Sequence, residues 1–445
     1  MNGAEERFGV DLLVVGGGMA GMTAAAFAAE QGLAVLVVEK QPEIGGSARL
    51  SGGGLWTAAD YETLRAVNPL GEPELARTLI DGYDAAADFI GSLGTSITER
   101  TPYVGTQSFP GVVRHIDIAD YMARCRSAVQ AAGGWVVTRS TITSLRSGPV
   151  GVTGGTVKGP DGEVEVEAPW TLLATGGFQN DPALRAHYLG PSAGSLAVRS
   201  NPASDGHGLK LGQAIGAATS THMSGWYGHT IPYPVDLPLA PADFLPLAQF
   251  YLSPRGLLLD RDGRRFTDES LGYYLNAQAV ATQPSARALL LFDEQLRLTD
   301  SERYGVDRFD FARRRGARVA SALGWEPLGR EVEAWGYRNA AAAALAFDQA
   351  LTCGAETSPP RAVNRERLIK PPFFAMEVQP AITFTHGGLR IDASARVLDA
   401  AGQSIPGLLA AGADAGGTYH RAYAGGLAMA AVFGMTAART ASGKE

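Results

Sequence analysis

The chain has 445 residues, of which 45% are hydrophobic and 19% are charged, and its net charge is −7. One compact core does not usually grow to this length, so we expect two domains. The acidic balance, without a basic cluster, argues against nucleic acid as a partner. The two cysteines and seven histidines are too few and too scattered for an iron–sulfur cluster, a structural zinc site or a disulfide framework, and we predict no metal site.

The residues from Leu12 to Ala29 carry no charge, a property that they share with membrane-spanning segments. Their pattern changes from strand to helix within the stretch, and their glycines fit a nucleotide-binding turn, so we predict no membrane span. No basic segment with a cleavable apolar stretch precedes them, which argues against a secretion signal. The expected compartment is therefore the cytoplasm.

The most informative segment is a βαβ pattern at the start of the chain. It reads D-L-L-V-V-G-G-G-M-A-G from Asp11 to Gly21, and a second apolar run ends at Glu39. Gly16 permits a tight turn, Gly18 lets the backbone approach a pyrophosphate, and Gly21 lets the helix pack closely on the strand. The amides and the dipole at the helix start attract phosphates, and Glu39 can accept hydrogen bonds from a ribose. This combination predicts a dinucleotide site.

Further elements follow this unit in chain order. The run Gly45–Trp56 reads G-G-S-A-R-L-S-G-G-G-L-W, and because glycine is costly to order, we expect a ligand against its backbone. Two later apolar runs, at 170–178 and 407–417, each end in a glycine turn. We expect these turns at the carboxyl ends of a parallel sheet, where ligands bind. The pattern predicts helices at 72–93 and 118–132, a strand at 135–138, a β-meander at 148–166, buried strands at 170–178 and 407–417, and a helix at about 426–440.

Both ends of the chain are therefore expected to build one nucleotide-binding domain. We predict an α/β fold in which residues 1–220 and 373–445 form this domain. Residues 221–372 are richer in Pro, Tyr, Trp and Arg and lack the glycine turns, so we predict that they form an inserted substrate domain.

Four motifs, in this order, resemble those of the flavoprotein family of soluble fumarate reductases, ketosteroid dehydrogenases and tricarballylate dehydrogenases. The resemblance covers almost the full length, and the second motif is closest to the ketosteroid dehydrogenase version. It implies a Rossmann-type, glutathione-reductase-like domain with an inserted α+β capping domain for the substrate. The motifs are V-V-G-G-G-M-A-G with V-V-E-K, the run Gly45–Trp56, D-R-D-G-R-R-F-T-D-E-S-L-G-Y at 260–273, and T-H-G-G-L-R-I-D followed by I-P-G-L-L-A-A-G and Y-A-G-G-L-A.

The resemblance also implies that the dinucleotide is FAD. Members that attach FAD covalently use a histidine in the loop that here holds Ser47 and Ser51, and none stands there, so non-covalent FAD is expected. Many members have a glutamate after the glycine of the A-A-G turn, where this chain has Ala413 followed by Asp414. The residues expected to hold FAD are Gly16, Gly18, Met19, Ala20, Gly21, Glu39, Lys40, Gly45, Gly46, Ser47, Ser51, Gly52, Gly53, Gly54, Ile142, Ala174, Thr175, Gly176, Gly412, Asp414, Gly426 and Leu427.

Chemistry at a carbon–carbon bond beside a carbonyl needs a proton donor or acceptor and a group that polarises the carbonyl. Four residues after the glutamate of the R-F-x-x-E motif, fumarate reductases have an arginine and ketosteroid dehydrogenases a tyrosine. The corresponding residue here is Tyr273, and Tyr274 is an adjacent rival. A phenol has a pKa of about 10, so it needs a polar relay or an acidified substrate. In the Y-A-G motif, Tyr423 is expected to polarise a ketone, assisted by the Leu427 amide.

Four other residues are candidates for contact with the substrate. Tyr103 can be a third tyrosine of the pocket, with packing of its loop as the alternative. His229 and His386 can bind substrate, or be structural histidines with ordinary hydrogen bonds. Arg421 can bind an anionic substrate or face solvent.

The first functional hypothesis is an FAD-dependent dehydrogenase or ene-reductase that acts beside a carbonyl of a cyclic, largely apolar substrate, such as a steroid or a secondary metabolite. Phe384 replaces a histidine that fumarate reductases place there, which disfavours dicarboxylates. The second hypothesis is a di- or tricarboxylate-active enzyme that uses Arg421, His229 and Arg49. The third is a non-catalytic electron-transfer flavoprotein. The expected partners are a small-molecule substrate and an unidentified electron acceptor or donor.

Overall fold

The structure is a computed structural model, and it describes residues 7–103 and 109–444. Residues 104–108, which follow the candidate Tyr103, lie outside the described residues. The strands are β1 (Arg7–Gly9), β2 (Leu12–Val15), β3 (Val35–Val38), β4 (Gly54–Ala58), β5 (Thr101–Tyr103), β6 (Gly111–His115), β7 (Trp135–Val137), β8 (Thr141–Gly148), β9 (Gly151–Gly159), β10 (Gly162–Glu167), β11 (Trp170–Leu173), β12 (Ala197–Val198), β13 (Trp226–Pro232), β14 (Leu257–Leu259), β15 (Ala288–Asp293), β16 (Val319–Ala322), β17 (Phe373–Thr385), β18 (Arg396–Leu398) and β19 (Ser404–Ala410).

The helices connect these strands and cover their faces. They are α1 (Met19–Glu30), α2 (Tyr61–Val67), α3 (Pro73–Ser92), α4 (Ile118–Ala131), α5 (Pro182–Leu189), α6 (His207–Ala214), α7 (Phe244–Leu247), α8 (Tyr273–Ala281), α9 (Glu294–Tyr304), α10 (Arg308–Arg314), α11 (Trp325–Glu333), α12 (Ala340–Thr352) and α13 (Gly426–Ala441).

The central sheet joins both ends of the chain. Its strand order is β18-β19-β11-β2-β3-β7, and the five strands from β19 to β7 run parallel. Strands β2 and β3 read LLVV and VLVV, and every residue in them is buried. Continuous branched apolar runs suit strands that are covered on both faces. The predicted α/β class is therefore confirmed.

Helix α1 is the element that the rest of this domain packs around. It consists mainly of alanine and other small residues, and ten of its twelve residues are buried. Small side chains allow close approach, and α1 contacts β2 and β3 on one side and helices α4 and α13 on the others. The C-terminal helix is thereby fixed beside the first glycine turn.

The remaining predicted elements of this domain are present, with shifted ends. The helices predicted at 72–93, 118–132 and 426–440 are confirmed as α3, α4 and α13, and the strand at 135–138 is confirmed as β7. The β-meander begins earlier than predicted and consists of β8, β9 and β10, with β1 added in parallel to β10. Strands β11 and β19 are shorter than predicted because their glycine turns begin after Leu173 and Ala410.

A second large sheet belongs to the inserted region and is organised by β17. This buried strand of 13 residues pairs with β15 and β16 through its first half and with β12 and β13 through its second half. The sheet therefore continues past residue 372, where the sequence pattern places the end of the inserted domain. We propose that this domain ends after Thr385 and that β12 also belongs to it.

The uncharged stretch from Leu12 to Ala29 divides into β2, a glycine turn and α1. Among residues 7–103 and 109–444, none of the helices has the length and apolar character needed to cross a membrane. In the same ranges, no group of three or more His, Cys, Asp or Glu side chains is placed to hold a metal ion.

Candidate active site

A cavity of about 610 Å³ lies where the carboxyl ends of the parallel strands meet the inserted sheet. One end is bordered by the first glycine turn, the end of β3 and the turn after β11. The other end is bordered by β13, the start of α8, the end of β17 and the segment before α13. The cavity therefore connects the first glycine turn with a chamber rich in aromatic side chains, here called the aromatic chamber. Its aromatic residues are Trp56, Tyr103, Tyr227, Phe244, Tyr273, Phe384 and Tyr423.

Glu39 is nearly buried at the end of β3 and fixes the glycine turn. One carboxylate oxygen accepts a hydrogen bond from the Gly17 amide at 2.7 Å, and the other accepts from the Gln41 amide at 2.7 Å. Next to it, the Lys40 ammonium lies 3.0 Å from the Asp205 carboxylate. Glu39 and Lys40 both line the cavity, so this end offers a carboxylate and an ammonium to a ligand.

The steric roles predicted for Gly16 and Gly21 in the first turn are confirmed, and the place of Gly18 beside a pyrophosphate stays a prediction. Gly16 has a φ of +108°, and a Cβ there would lie 2.2 Å from the Ala174 carbonyl oxygen. A Cβ on Gly21 would lie 1.9 Å from the Gly16 carbonyl oxygen, so a side chain would push α1 away from the strand. Around a Cβ on Gly18 there is nothing within 4 Å, because this residue faces the cavity.

Most of the residues predicted to hold a cofactor do line the cavity. Seventeen are found there, namely Gly16, Gly18, Met19, Ala20, Glu39, Lys40, Gly46, Ser47, Ser51, Gly52, Gly54, Ala174, Thr175, Gly176, Gly412, Gly426 and Leu427. Five others are not among the lining residues and lie behind its wall, namely Gly21, Gly45, Gly53, Ile142 and Asp414. The Ile142 carbonyl oxygen is hydrogen-bonded to the His207 imidazole at 2.6 Å, and it is His207 that reaches the cavity.

Asp414 is buried and supports the turn after β11. Its carboxylate accepts hydrogen bonds from the Thr175 amide and, at 3.1 Å, from the Thr175 hydroxyl. Burial raises the pKa of Asp414 from 3.8 to about 7, and the bonds from Thr175 oppose this rise. The neighbouring Ala413 lines the cavity instead. Asp414 therefore positions backbone that faces the ligand.

Four tyrosines from distant parts of the chain line the aromatic chamber. The hydroxyl groups of Tyr227 in β13 and Tyr273 at the start of α8 are 3.1 Å apart and hydrogen-bonded. The ring of Tyr423 stacks on that of Tyr227, with centroids 3.8 Å apart. Tyr103 also lines the chamber, and its ring is 4.9 Å from that of Trp56. The predicted tyrosines are thus brought together, with Tyr227 among them.

A hydrogen-bonded chain leads from Tyr273 away from the cavity. The Tyr227 hydroxyl lies 3.3 Å from His229 Nε2, and His229 is buried behind the tyrosines. Burial raises the pKa of Tyr273 well above 10, and it raises the pKa of Tyr227 to about 12. Burial, together with the charges of Arg199 and Arg308, holds the pKa of His229 well below 6.5. At neutral pH this chain therefore consists of uncharged groups.

Tyr423 has a hydroxyl whose oxygen is already engaged. It accepts a hydrogen bond from the Gly426 amide at 3.0 Å, so its own hydrogen is directed elsewhere. Burial raises the pKa of Tyr423 far above 10, which keeps this hydrogen in place. The Tyr423 hydroxyl therefore keeps a hydrogen that it can donate.

Arg199 also lines the chamber, directly after β12. Its Nε donates to the Phe244 carbonyl oxygen at 2.9 Å, and its Nη1 donates to the Thr383 hydroxyl at 3.3 Å. Burial lowers the pKa of Arg199 from 12.5. The chamber thus contains a cation that the motifs did not indicate.

Several predicted residues lie outside the cavity. Tyr274 is buried next to Tyr273 but is absent from the lining residues, so Tyr273 is the one that faces the cavity. His386 is buried, with its ring 5.6 Å from that of Phe384, and burial lowers its pKa to about 3. Arg421 is exposed, and Arg49 is paired with Glu43 near the surface. The arginines of the carboxylate hypothesis are therefore not assembled around the cavity.

Sequence reasoning did not select Tyr227 or Arg199. Tyr227 stands in G-W-Y-G-H-T beside the candidate His229, and the alternation of a strand places both side chains on one face. This alternation is a signal in the sequence that could have identified Tyr227. Arg199 follows the short apolar run L-A-V and has no motif around it, so only the packing of β12 against β17 reveals its position.

Comparisons with known proteins identify the class. A sequence family described as "FAD binding domain" matches residues 11–427. The chain belongs to this family, which includes fumarate reductases and 3-ketosteroid dehydrogenases, and it is therefore an FAD-dependent oxidoreductase acting on CH–CH bonds. The predicted cofactor is confirmed.

Individual relatives are distant. The chain is 27% identical to a fumarate reductase (cytochrome) of Shewanella frigidimarina, a match covering 97% of this chain and 77% of that protein. It is 25% identical to the 4-oxocyclohexanecarboxylate 2-dehydrogenase of Sinomonas cyclohexanicum, over 98% of this chain and 93% of that enzyme. Its fold is similar to the 3-ketosteroid-Δ4-(5α)-dehydrogenase of Rhodococcus jostii RHA1, with a TM-score of 0.78, 20% identity and coverage of 99% and 98%.

The cavity wall fits FAD. Backbone from both ends of the chain borders the cleft, and around built Cβ atoms on Gly18 and Gly52 there is nothing within 4 Å. A phosphate can therefore approach the start of α1 without meeting a side chain. Glu39 and residues of the run 46–54 line the same cleft, so the predicted contact of Glu39 with a ribose stays a prediction.

Proposed function

We propose that this protein desaturates, or in the reverse direction reduces, a carbon–carbon bond next to a ketone in a cyclic substrate. The observation that carries the proposal is the pairing in one chamber of a directed hydroxyl donor, Tyr423, with a hydrogen-bonded proton pathway that begins at Tyr273. The two relatives that act on ring ketones by name, the Sinomonas and Rhodococcus enzymes, support a ketone substrate.

Tyr423 polarises the ketone in this proposal. Because the Gly426 amide occupies a lone pair of its oxygen, the hydroxyl hydrogen is available to the substrate carbonyl. A donor held in place before the substrate arrives stabilises the charge that develops on the carbonyl oxygen without a cost for reorientation. Such polarisation also makes the neighbouring C–H bond more acidic, which lowers the demand on the base.

Tyr273 transfers the proton. A free phenolate is disfavoured here because burial raises the pKa of Tyr273. As Tyr273 takes a proton from carbon, it passes its own to Tyr227, and Tyr227 passes one to His229 Nε2, which then carries the proton removed from the substrate. The low pKa of His229 makes it a weak acceptor, so the proton returns along the same chain to Tyr273 and is released to water when the product leaves the cavity. Reduction of a double bond uses the same chain in the opposite direction.

Bound FAD supplies the acceptor or donor for the hydride that leaves or reaches the adjacent carbon. The protein itself holds the substrate ring between the tyrosines and the glycine-lined run 46–54. The aromatic walls Trp56, Phe384 and Phe244 exclude water from the reacting carbons. Exclusion of water strengthens the hydrogen bond from Tyr423 to the ketone.

The test is anaerobic bleaching of the bound flavin by saturated cyclic ketones, followed by reoxidation with the matching α,β-unsaturated ketones. Tyr273→Phe is expected to slow bleaching by a factor of about 100 or more, because it removes the acid–base group. Tyr274→Phe is the matched control, since this neighbouring tyrosine is buried outside the cavity, and its rate is expected to equal that of the unaltered protein.

Flavin content is measured for every variant so that lost cofactor is not mistaken for lost chemistry. Failure of every cyclic ketone to bleach the flavin, together with failure of every enone to reoxidise it, would refute the proposal. Equal rates for Tyr273→Phe and Tyr274→Phe would refute the assignment of the proton pathway while leaving the ketone chemistry intact.

A further inference from the structure

The arginine in the aromatic chamber, Arg199, is half-buried and lines the cavity, whereas three more deeply buried arginines do not line it. Arg308 and Arg361 are almost fully buried and are paired with the carboxylates of Asp300 and Glu269. Arg185 lacks a carboxylate, but three carbonyl oxygens accept its hydrogen bonds. Arg361 and Arg185 are hydrogen-bonded to protein groups, and Asp300 compensates the charge of Arg308, whose Nε and Nη2 have no hydrogen-bond partner. None of these three arginines lines the cavity.

The guanidinium of Arg199 uses only part of its hydrogen-bonding capacity within the protein. Two of its five N–H groups have acceptors, the Phe244 carbonyl and the Thr383 hydroxyl, and its guanidinium lies 5.2 Å from the centre of the Phe244 ring. Within the described residues, no carboxylate forms a salt bridge with it. The remaining N–H groups belong to a half-buried side chain that lines the cavity.

A guanidinium keeps its charge even where its pKa falls, because its ordinary pKa is far above neutral pH. A buried charge without a counter-ion is costly, and this cost is removed when an anion binds. Arginine binds a carboxylate through two parallel hydrogen bonds, which suits a site with several free donors on one side.

The surroundings of Arg199 favour an anion. Among the described residues that line the cavity, Glu39 is the one carboxylate, and its oxygens are held by amides at the nucleotide end. Tyr227, Tyr273 and Tyr423 line the same cavity as Arg199, and their hydroxyl groups are uncharged at neutral pH because burial raises the pKa of each. Arg308, whose charge acts with that of Arg199 on His229, is paired with Asp300. The chamber therefore has a positive potential.

We propose that Arg199 binds a carboxylate of the substrate, so that the substrate is a cyclic ketone bearing one carboxylate. The inference rests on the proposed function, because Tyr423 takes the ketone and Tyr273 faces the carbon between the two groups. One such arginine lines the described part of the cavity, which accounts for one carboxylate and not for two.

Arg199 has a rival role as a charge that acts on the tyrosines. Its positive charge lowers the pKa of Tyr227, which burial raises. If that were its purpose, loss of the charge would slow proton transfer for every ketone, neutral or charged. If it binds a carboxylate, its loss affects charged substrates and acts mainly on KM.

The experiment compares two probes on the flavin-loaded protein, 4-oxocyclohexanecarboxylate and its methyl ester, by anaerobic bleaching. The unaltered protein is expected to show a kcat/KM for the acid at least about 10-fold above that for the ester, as for a charge-assisted hydrogen bond. Arg199→Gln is expected to remove this preference through KM, so that the ratio of kcat/KM for acid and ester falls to about one. Arg199→Lys is expected to restore part of it, because lysine keeps the charge without the paired geometry.

Arg421→Gln is the matched control, because Arg421 is exposed and outside the cavity, and it is expected to keep the preference. Equal kcat/KM for acid and ester in the unaltered protein would overturn the inference. So would an equal loss of both rates in Arg199→Gln with flavin content preserved, which is the result for the rival role.

A binding measurement separates this inference from the proposed function. Cyclohexanecarboxylate, which has no ketone, is titrated against the oxidised flavin spectrum of each variant. If neither ketone bleaches the flavin but cyclohexanecarboxylate binds the unaltered protein and not Arg199→Gln, the ketone chemistry fails and the carboxylate site stands. If this compound binds both variants equally, or neither, the carboxylate site is refuted.

Discussion

Replacing Asp414 by asparagine tests how the structure supports the turn after β11. The Asp414 carboxyl group is buried, and its oxygens accept hydrogen bonds from the Thr175 amide and hydroxyl. Burial raises its pKa to about 7 in the folded protein, whereas an unfolded chain has an aspartate pKa of about 3.9. The folded state therefore holds a proton at pH values where the unfolded state has released it.

The sign and size of the effect follow from this difference. Where the folded state binds more protons than the unfolded state, the free energy of unfolding falls as the pH rises. Stability is therefore fully present below about pH 4 and is lost progressively up to about pH 7. The rise of about three pKa units corresponds to about 4 kcal/mol in total, of which about 2 to 3 kcal/mol falls between pH 5 and pH 8. An asparagine at position 414 does not titrate, so the free energy of unfolding of Asp414→Asn is expected to lack this decrease between pH 5 and pH 8.

The assay is urea unfolding at pH 5 and pH 8 with the same saturating FAD concentration, for the unaltered protein and for Asp414→Asn. Because Asp414 does not line the cavity, FAD binding contributes equally to both proteins, and FAD affinity at each pH is measured to verify this. Asp236→Asn is the control, since Asp236 is exposed. Parallel pH dependence in the unaltered protein and Asp414→Asn would show that the folded carboxyl is already ionised at pH 5 and would refute the reasoning.

Three further predictions concern the cavity. Tyr227→Phe removes the hydroxyl between Tyr273 and His229, and it is expected to slow anaerobic bleaching of the flavin by a ketone about 10- to 100-fold, measured by stopped flow, with flavin content unchanged. Tyr423→Phe removes the donor to the ketone and is expected to lower kcat for bleaching about 100-fold or more, measured in steady state. Gly18→Ala places a methyl group in the open cleft, and it is expected to weaken FAD binding, measured by fluorescence titration, while the protein stays folded.

Each of these has an outcome that contradicts it. A Tyr227→Phe rate equal to that of the unaltered protein would mean that Tyr273 exchanges its proton without the chain. A Tyr423→Phe variant that changes KM alone would assign this tyrosine to binding and not to polarisation. For the third, Gly9→Ala is the control, because a Cβ on Gly9 also meets nothing within 4 Å but lies away from the cavity; equal FAD affinity in both variants would place the phosphates elsewhere.

Local patterns were sufficient for the first βαβ unit. An apolar run, a glycine turn and a carboxylate at its spacing predict β2, α1, β3 and the place of Glu39, because each depends on neighbours within thirty residues. The sequence also predicted that the C-terminal residues rejoin the nucleotide-binding domain as β19 and α13. The reason is that an apolar run ending in a glycine turn, the pattern of β2, occurs again at 407–417. The family resemblance supplied Tyr273 and Tyr423, which lie 150 residues apart in sequence.

The tertiary structure alone decided which residues share the chamber. Arg199 reaches it because the two-residue strand β12 pairs with β17, and so short a strand has no periodicity to recognise. Strand β17 itself belongs to the inserted sheet because four strands pair with it, and strand partners far apart in sequence leave no local signal. Asp414 lies behind the wall instead of in it because the turn after β19 directs Ala413 inward. Local sequence patterns predicted the elements and a dinucleotide site, and the family resemblance predicted FAD, whereas long-range packing determined which side chains line the cavity.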